Sequence, residues 1–290
     1  MTKAVDQLIE RSNRLGSDPR NTNYAGGNTS AKGRAKDPAS GEMLELIWVK
    51  GSGGDLGTLA ESGLAALRLD RVRGLEAVYP GVEREDEMVA AFDYCLHGKG
   101  GAAPSIDTAM HALVDLPHVD HLHPDAGIAI ATAADGPALT DTIYGDKVVW
   151  VPWRRPGFQL GLDIRDIQRA HPDAVGCILG GHGITAWGET SDEVERNSRW
   201  IIRTAAAYLK EHGKREPFGR ALKGYGALTP AKRRAKAAAL AAHVRAIASA
   251  DRPMAGHFTD AKVASWRTPY PIAAPTNPPM RACEDDDGRP

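Results

Sequence analysis

Two segments of the chain carry apolar residues at the three- and four-residue spacing of an amphipathic helix. The first runs from Asp86 to Lys99 and has acidic residues in its first turn, which the helix dipole favours. The second runs from Ser191 to His212, with a serine cap at its start and Gly213 as its stop. The pattern therefore predicts a helix over each segment.

Short runs rich in strand-forming residues lie between and before these helices. They are Leu44–Val49, His118–His123, Val148–Val151 and Ala174–Leu179. Helices and strands alternate without a strict βαβ order, so the pattern favours a mixed α+β sheet with helices packed on it over a doubly wound parallel sheet.

The composition changes near residue 214, which predicts one domain over residues 1–214. Thr229 and Pro230 then form a helix-start signal for an alanine-rich helix, Ala231–Ser249. This helix belongs to a predicted helical extension over 215–267. Residues 268–290 are rich in proline and acid and too poor in apolar side chains to join a core, so they are predicted to be a disordered tail.

The start of the alanine-rich helix is basic, and its charge permits two interpretations. Its cations fit an RNA-binding face or a solvated one. The absence of interleaved aromatic residues for base stacking favours the solvated face. The cations are Lys232, Arg233, Arg234 and Lys236.

Overall charge and hydropathy exclude several classes of partner. The 290 residues include 36 Lys and Arg against 37 Asp and Glu, so no global basic field exists for nucleic acid or an anionic membrane. The longest apolar stretch, Ala126–Ala134, is far shorter than the ~20 residues of a membrane span. The N-terminus is charged from Lys3 and shows no leader pattern, so we expect a cytoplasmic protein.

Neither cysteine spacing nor common nucleotide motifs indicate a site. Cys95, Cys177 and Cys283 contain no C-x-x-C pair, so they are expected to be reduced packing residues. The phosphate-loop, dinucleotide, serine-hydrolase and H-E-x-x-H motifs do not occur in the sequence. Nicotinamide cofactors are therefore not expected to bind.

A histidine pair and a third histidine indicate a candidate metal site. His121 and His123 are two residues apart in a predicted strand, so their side chains project from one face. His182 lies in a glycine-rich turn directly after an apolar run. Three neutral imidazoles with an open fourth position form a catalytic zinc site, whereas unrelated histidines are the alternative, and spacing alone does not decide between them.

Three segments of small residues are suited to bind an anion, although ordinary turns have the same composition. They are Gly26–Ser30, Gly51–Gly54 and Pro104-Ser105 at a predicted helix start. Asp107 falls in the first turn of that helix, where an acidic residue is common as a dipole complement. His111 follows one turn later and is expected to be a packing histidine rather than a cleft residue.

Five motifs, taken in order, resemble the class II aldolase/adducin family. They are Gly27–Ser30, Lys50–Gly53, Pro104–Asp107, His121–His123 and Gly181–Gly183. The amino-acid sequence between these motifs is most similar to the aldolase half of bifunctional rhamnulose-1-phosphate aldolase/lactaldehyde dehydrogenase proteins. This resemblance covers roughly residues 20 to 260, and the dehydrogenase half is expected to be absent.

The resemblance implies an α/β/α layered fold with a central mixed or antiparallel sheet and one Zn²⁺ per chain. It assigns the metal to His121, His123 and His182, and it aligns Asp107 with the family's catalytic carboxylate, which is more often Glu. It places a substrate phosphate near Asn28, Ser52, Gly53 and Ser105, with Lys50 as a possible accessory group. His111 and Tyr144 are further accessory candidates, the tyrosine as an acid at the aldehyde oxygen.

The activity that the resemblance implies is cleavage of L-rhamnulose 1-phosphate to dihydroxyacetone phosphate and L-lactaldehyde, a step of rhamnose catabolism. A 4-epimerase or a dehydratase of the same fold would use the same zinc and phosphate sites. A metal-free interaction module of the adducin type is the alternative from another class. The resemblance also implies a homotetramer.

Overall fold

The computed structural model describes residues 3–98, 101–214 and 228–248. Its strands are β1 (Asn28–Lys36), β2 (Met43–Lys50), β3 (Leu64–Arg68), β4 (His118–Leu122), β5 (Val148–Val151), β6 (Gly176–Leu179) and β7 (Gly183–Gly188). Its α-helices are α1 (Lys3–Gly16), α2 (Leu69–Gly74), α3 (Glu85–Ala91), α4 (Thr108–Leu113), α5 (Asp125–Ala131), α6 (Gly136–Tyr144), α7 (Phe158–Ala170), α8 (Ser191–His212) and α9 (Pro230–Ala248).

The strands form one seven-stranded sheet in the order β3-β2-β1-β4-β7-β6-β5. The β5–β6 pair is parallel and the other neighbouring pairs are antiparallel. The sheet is therefore mixed, which confirms the expectation that it is not a doubly wound parallel sheet. β4 lies at its centre, between β1 and β7, so residues of β4 are covered on both faces.

Alternate strand residues point to helical layers on opposite faces of the sheet. Leu122, Ile178 and Ile184 pack with residues of α5, α6 and α8 on one face. Val119 and Cys177 pack with α4 and α7 on the other. Since successive side chains of a strand project to opposite faces, His121 shares the α4 face with Val119. The three layers confirm the α/β/α expectation.

The predicted helix over Asp86–Lys99 is too long. α3 ends at Ala91, and a 3-10 turn over Phe92–Cys95 follows it. The chain then becomes extended because Leu96 forms a β-bridge with Leu67 of the edge strand β3. Met88 and Phe92 nevertheless pack in one buried apolar cluster, on the side of α2, α4 and Phe158. Pairing with the sheet edge thus overrides the helical period.

The predicted helix that carries Asp107 begins later than expected. α4 starts at Thr108, so Asp107 lies immediately before the helix rather than in its first turn. The Thr108 hydroxyl donates to the carbonyl of Ser105 at 2.6 Å, which closes the turn before the helix. The Asp107 side chain makes no capping bond to the helix backbone. Its carboxylate is therefore engaged elsewhere.

The remaining predicted elements agree with the structure to within a few residues. The strand runs are found as β2, β4, β5 and β6, and α8 has the predicted bounds. The predicted serine cap of α8 is wrong: Thr190 accepts from the backbone N–H of Glu193 at 3.2 Å, whereas the Ser191 hydroxyl accepts from Arg11. His123 lies one residue past β4, and Ala174 two residues before β6. Cys95 and Cys177 are buried free thiols, as expected, whereas Cys283 lies outside the described residues. No helix in the described ranges is long and apolar enough to cross a membrane.

The chain divides into two units, one ending at His212 and the other beginning at Gly213. In the second unit the structure describes residues 228–248. Here Thr229 accepts from the backbone N–H of Lys232 at 3.4 Å and α9 begins at Pro230, as the helix-start signal predicts. The basic side chains at the start of α9 are exposed to solvent. The predicted boundaries at 214 and 267 stay predictions, and residues 249–290 lie outside the described part.

Candidate active site

Three histidine side chains converge at the carboxyl end of β4. The Nε2 atom of His123 lies 2.9 Å from Nε2 of His121 and 3.1 Å from Nε2 of His182. His182 reaches this centre from the turn between β6 and β7, because β7 pairs antiparallel with β4 and brings the turn back beside His123. The structure thus brings together the three residues that the sequence indicates as a metal site.

Glycines next to the histidines leave room for this convergence. A Cβ atom on Gly183 would lie 2.9 Å from the His123 ring, and one on Gly26 would lie 3.0 Å from its Nδ1 atom. Gly181 has a φ of +68°, a conformation that other residues rarely adopt. The glycine-rich sequences on both sides therefore have a steric function at this site.

Hydrogen bonding fixes the protonation of His121. Its Nδ1 atom lies 2.9 Å from the carbonyl oxygen of Ile184, which can only accept, so Nδ1 carries the proton and Nε2 presents a lone pair. A hydrogen bond from the second ring nitrogen to a carbonyl is the usual support of a metal-binding imidazole. The carbonyl is a backbone group and leaves no signal in the sequence.

The environment keeps the three imidazoles neutral. Burial lowers the pKa of His121 well below its usual range, and burial followed by the proximity of His182 lowers that of His123 to about 4. Burial also lowers the pKa of His182, although the nearby Asp107 carboxylate opposes it. Neutral imidazoles with lone pairs directed at one centre are the donor set of a divalent metal. The residues present therefore fit zinc.

Asp107 lies beside this centre, and its two carboxylate oxygens differ in their hydrogen bonding. Its Oδ2 atom accepts from the Asn28 amide at 2.8 Å and from the Ser105 hydroxyl at 3.3 Å. Its Oδ1 atom is buried and has no hydrogen-bond partner among the described residues. One carboxylate oxygen is thus held and the other is available for chemistry.

Asn28 and His111 extend the contacts of Asp107 into the core. The Asn28 amide nitrogen also donates to Ser105 at 3.0 Å, and its oxygen lies 2.6 Å from Nε2 of His111. His111 is fully buried, as a packing histidine would be, and burial first of all lowers its pKa to about 3. Two of the predicted phosphate residues, Asn28 and Ser105, are therefore in contact with Asp107, and their phosphate-binding role stays a prediction.

The other two predicted phosphate residues lie in an open glycine turn after β2. Gly53 has a φ of +73°, and space of at least 4 Å is open where its Cβ would be. The Ser52 N–H is bonded to the carbonyl of Ala103 at 2.9 Å. The Lys50 ammonium donates to the carbonyl of Gly53 at 2.9 Å, and burial lowers its pKa. Lys50 thus holds the turn. The Asp107 carboxylate is near enough to oppose the lowering of the Lys50 pKa.

Tyr144 does not join this group. Its hydroxyl donates to the carbonyl of Ile201 at 3.0 Å, and its ring packs edge-on against Trp200. A residue that sequence reasoning did not single out, Trp153, lies closer. Its ring is 2.9 Å from where a Cβ on Gly181 would be, and its side chain is exposed beside His182.

Two solved structures have folds similar to that of this chain. The N-terminal class II aldolase domain of a conserved protein from Thermoplasma acidophilum has 27% identity and a TM-score of 0.65, over 72% of this chain and 95% of that chain. A sugar-phosphate aldolase from Thermotoga maritima has a TM-score of 0.52 over 77% of this chain and 98% of its own, but its 14% identity supports the fold alone.

A curated relative extends well beyond the matched region. The protein named uncharacterized oxidoreductase YuxG, from Bacillus subtilis (strain 168), is 36% identical over 261 residues, which are 90% of this chain and 37% of that protein. The chain therefore spans little more than a third of that relative's length. Residues 6–209 match the family described as Class II Aldolase and Adducin N-terminal domain, and with the histidine centre in the matched region, the chain belongs to this family.

Proposed function

We propose that this chain is a zinc-dependent aldolase that cleaves a ketose 1-phosphate. The observation that carries the proposal is the pairing of three convergent neutral imidazoles with a carboxylate that keeps one buried oxygen unpartnered. An interaction module of the adducin type needs neither feature. Family membership narrows the chemistry to the class II type, in which a divalent metal replaces a lysine Schiff base.

A metal held by His121, His123 and His182 would supply Lewis-acid stabilisation of negative charge on the substrate oxygens when the C3–C4 bond breaks. Asp107 holds and moves the proton at the nucleophilic carbon, with Oδ1 as the atom that carries it. Asn28 and Ser105 hold the other oxygen in place, so the carboxylate does not have to reorganise during transfer.

The substrate phosphate is assigned to the turn at Gly53 and Gly54. Both glycines have positive φ values and open space around them, and Lys50 binds the Gly53 carbonyl from the inner side. Backbone N–H groups of such a turn bind anions without requiring a basic surface. The nearly neutral chain, with a net charge of −1, is consistent with such local recognition.

The specific substrate that we propose is L-rhamnulose 1-phosphate, with dihydroxyacetone phosphate and L-lactaldehyde as products. This choice rests on three segments whose amino-acid sequences are similar to those of rhamnulose-1-phosphate aldolases. They are Ala103–His111, His118–Ala126 and Val151–Phe158. The homotetramer that the family resemblance implies also belongs to this proposal. Light scattering on a purified sample measures the mass of the assembly directly.

The decisive experiment incubates the zinc-loaded chain with L-rhamnulose 1-phosphate, with and without a chelator. We expect dihydroxyacetone phosphate and L-lactaldehyde to form, and the chelator to stop their formation until zinc is restored. An epimerised or dehydrated product would replace the aldolase assignment with one of the two related sugar-phosphate enzymes. A chain that binds no metal and converts no substrate would support the interaction module instead.

A further inference from the structure

His111 is not one of the three convergent histidines, yet it is tied to Asp107 through one intervening side chain. It is fully buried, and its two ring nitrogens lie 2.8 Å from the Ser30 hydroxyl and 2.6 Å from the Asn28 amide oxygen. Asn28 in turn donates to Oδ2 of Asp107 at 2.8 Å. Four residues thus form a continuous chain of hydrogen bonds from the core to the carboxylate.

Only one direction of proton donation satisfies every member of this chain. The Asn28 amide must direct its nitrogen at Asp107, because the reverse orientation would place its oxygen against a carboxylate oxygen. Its oxygen then only accepts, so the neutral His111 ring carries its proton on Nε2. His111 Nδ1 is left to accept from the Ser30 hydroxyl, whose other possible acceptor, the Val119 carbonyl, is farther away at 3.5 Å.

The low pKa of His111, which burial sets at about 3, agrees with a ring that carries a single proton. A rigid ring between Ser30 and Asn28 leaves the Asn28 amide no freedom to turn over. Both Asn28 donors are used, one on Ser105 and one on Asp107. In this arrangement Asn28 has no donor left for a substrate phosphate.

We propose that His111 and Asn28 are positioning residues that hold Asp107 Oδ2 and thereby direct its Oδ1 oxygen at the reacting carbon. The inference rests on the proposed aldolase function for its catalytic consequence, but the hydrogen-bond chain itself does not. In this arrangement His111 transfers no proton to substrate. It acts through Asn28, and Asn28 acts on Asp107.

The kinetic test compares His111→Leu, His111→Gln and Asn28→Leu in the zinc-loaded protein. Misplacement of a catalytic group by about 1 Å can reduce the rate ~10²-fold, so we expect kcat to fall ~10- to 100-fold in both leucine variants. KM and the zinc content should stay close to those of the original protein. Glutamine carries a donor NH2 group and an acceptor oxygen, as the neutral ring carries a donor and an acceptor nitrogen, so His111→Gln should recover most of the lost kcat.

Two further comparisons separate positioning from simple damage to the core. The double variant His111→Leu with Asn28→Leu should lose little more kcat than either single variant, because the two residues act in series. His118→Leu is the matched control, since His118 is also a buried histidine but contacts Arg11 instead of Asn28. It should lower thermal stability and leave kcat unchanged.

Several results would overturn the proposal. They are a kcat of His111→Leu within about twofold of the original, no recovery by glutamine, or an Asn28→Leu variant with a raised KM and an unchanged kcat, which would make Asn28 a phosphate ligand.

Nitrogen-15 NMR of the histidine rings tests the hydrogen-bond chain without any substrate. We expect the neutral Nε2-protonated form of His111, and a proton on Nδ1 would contradict it. If the unaltered enzyme cleaves nothing, the proposed function fails, and the NMR result still decides the hydrogen-bond chain.

Discussion

The Asp107 carboxylate could act as a partner of the helix dipole or as the proton-transfer group. The nearly isosteric substitution Asp107→Asn gives different results for these two roles. As a partner of the helix dipole, the charge contributes ~0.3 to 1 kcal/mol to stability. As the proton-transfer group it contributes ~10²- to 10⁴-fold to the rate. We expect Asp107→Asn to lose turnover by that factor while its zinc content and thermal unfolding remain close to normal. Steady-state kinetics and elemental analysis measure these quantities.

The matched control is Asp115→Asn. Asp115 lies just beyond the other end of α4, is exposed, and pairs with Arg169 at 2.8 Å. Exposed ion pairs contribute little to stability, and Asp115 does not contact the histidine centre, so this variant should keep full turnover. An Asp107→Asn enzyme with more than about a tenth of the original turnover would remove Asp107 from the proton-transfer role.

The three convergent histidines are the proposed metal ligands, and single substitutions test each of them. The Nε2 atom of His123 lies within 3.1 Å of the Nε2 atoms of both His121 and His182. Loss of His123 therefore removes the nitrogen that contacts both of the others. We expect His123→Ala to purify with much less than one zinc per chain, as measured by elemental analysis. His171→Ala, which removes an exposed histidine at the end of α7, should retain the metal. Full zinc content in His123→Ala would exclude His123 as a ligand.

At the scale of elements, the sequence predicts what depends on local pattern. The end of α8 follows from its glycine stop, whereas its cap is Thr190 and not the predicted Ser191, because the Ser191 hydroxyl is bonded to Arg11. The end of α3 could not be predicted, because Leu96 leaves the helix to pair with Leu67, a residue 29 positions earlier in the chain. Local spacing has no information about such a pairing.

A buried ion pair joins α1 to the sheet, beside the apolar contacts of Val5 and Leu8. Arg11 Nε lies 2.9 Å from Asp120 of β4, and the same guanidinium donates to the Ser191 hydroxyl of α8 at 2.7 Å. Both partners of the pair are inaccessible to solvent, and burial raises the pKa of Asp120. Loss of one partner would leave the other buried without compensation.

We therefore expect Arg11→Met to lower the free energy of unfolding by ~3 to 5 kcal/mol, as measured by urea denaturation. Arg14→Met is the control from the same helix. Arg14 is about half exposed and pairs with Glu195 at 2.7 Å, so its loss should cost no more than ~1 kcal/mol. Equal effects of the two substitutions would show that the buried pair does not hold α1 to β4.

At the scale of the whole molecule, the site is assembled from segments far apart in sequence. The motifs indicate Asn28, Ser105 and Asp107 as separate candidates, and only the pairing of β1 with β4 and the packing of α4 brings them into contact. The same tertiary packing directs Tyr144 to Ile201 and away from them. Residue type and spacing therefore indicate the three convergent histidines from sequence, whereas the orientation of an amide or a hydroxyl depends on neighbours that the sequence does not specify.

Global stability should depend on pH through histidines buried in their neutral form. Burial lowers the pKa of His111 to about 3 and that of His118 to about 4, whereas both titrate near 6.5 in the unfolded chain. Between these values the unfolded state binds more protons than the folded state. The free energy of unfolding therefore falls as the pH drops below about 6.5 and is insensitive to these two groups above it.

From pH 7 to pH 5, His111 alone should account for a loss of ~2 kcal/mol, with a nearly equal contribution from His118. Urea denaturation of the zinc-free protein at the two pH values measures the total loss, in which the three metal-site histidines also take part. We expect His111→Gln, whose amide does not titrate, to reduce the difference by ~2 kcal/mol, whereas His171→Gln at an exposed position should leave it unchanged. Identical pH dependence in the original protein and in His111→Gln would mean that the His111 ring is not held neutral in the fold.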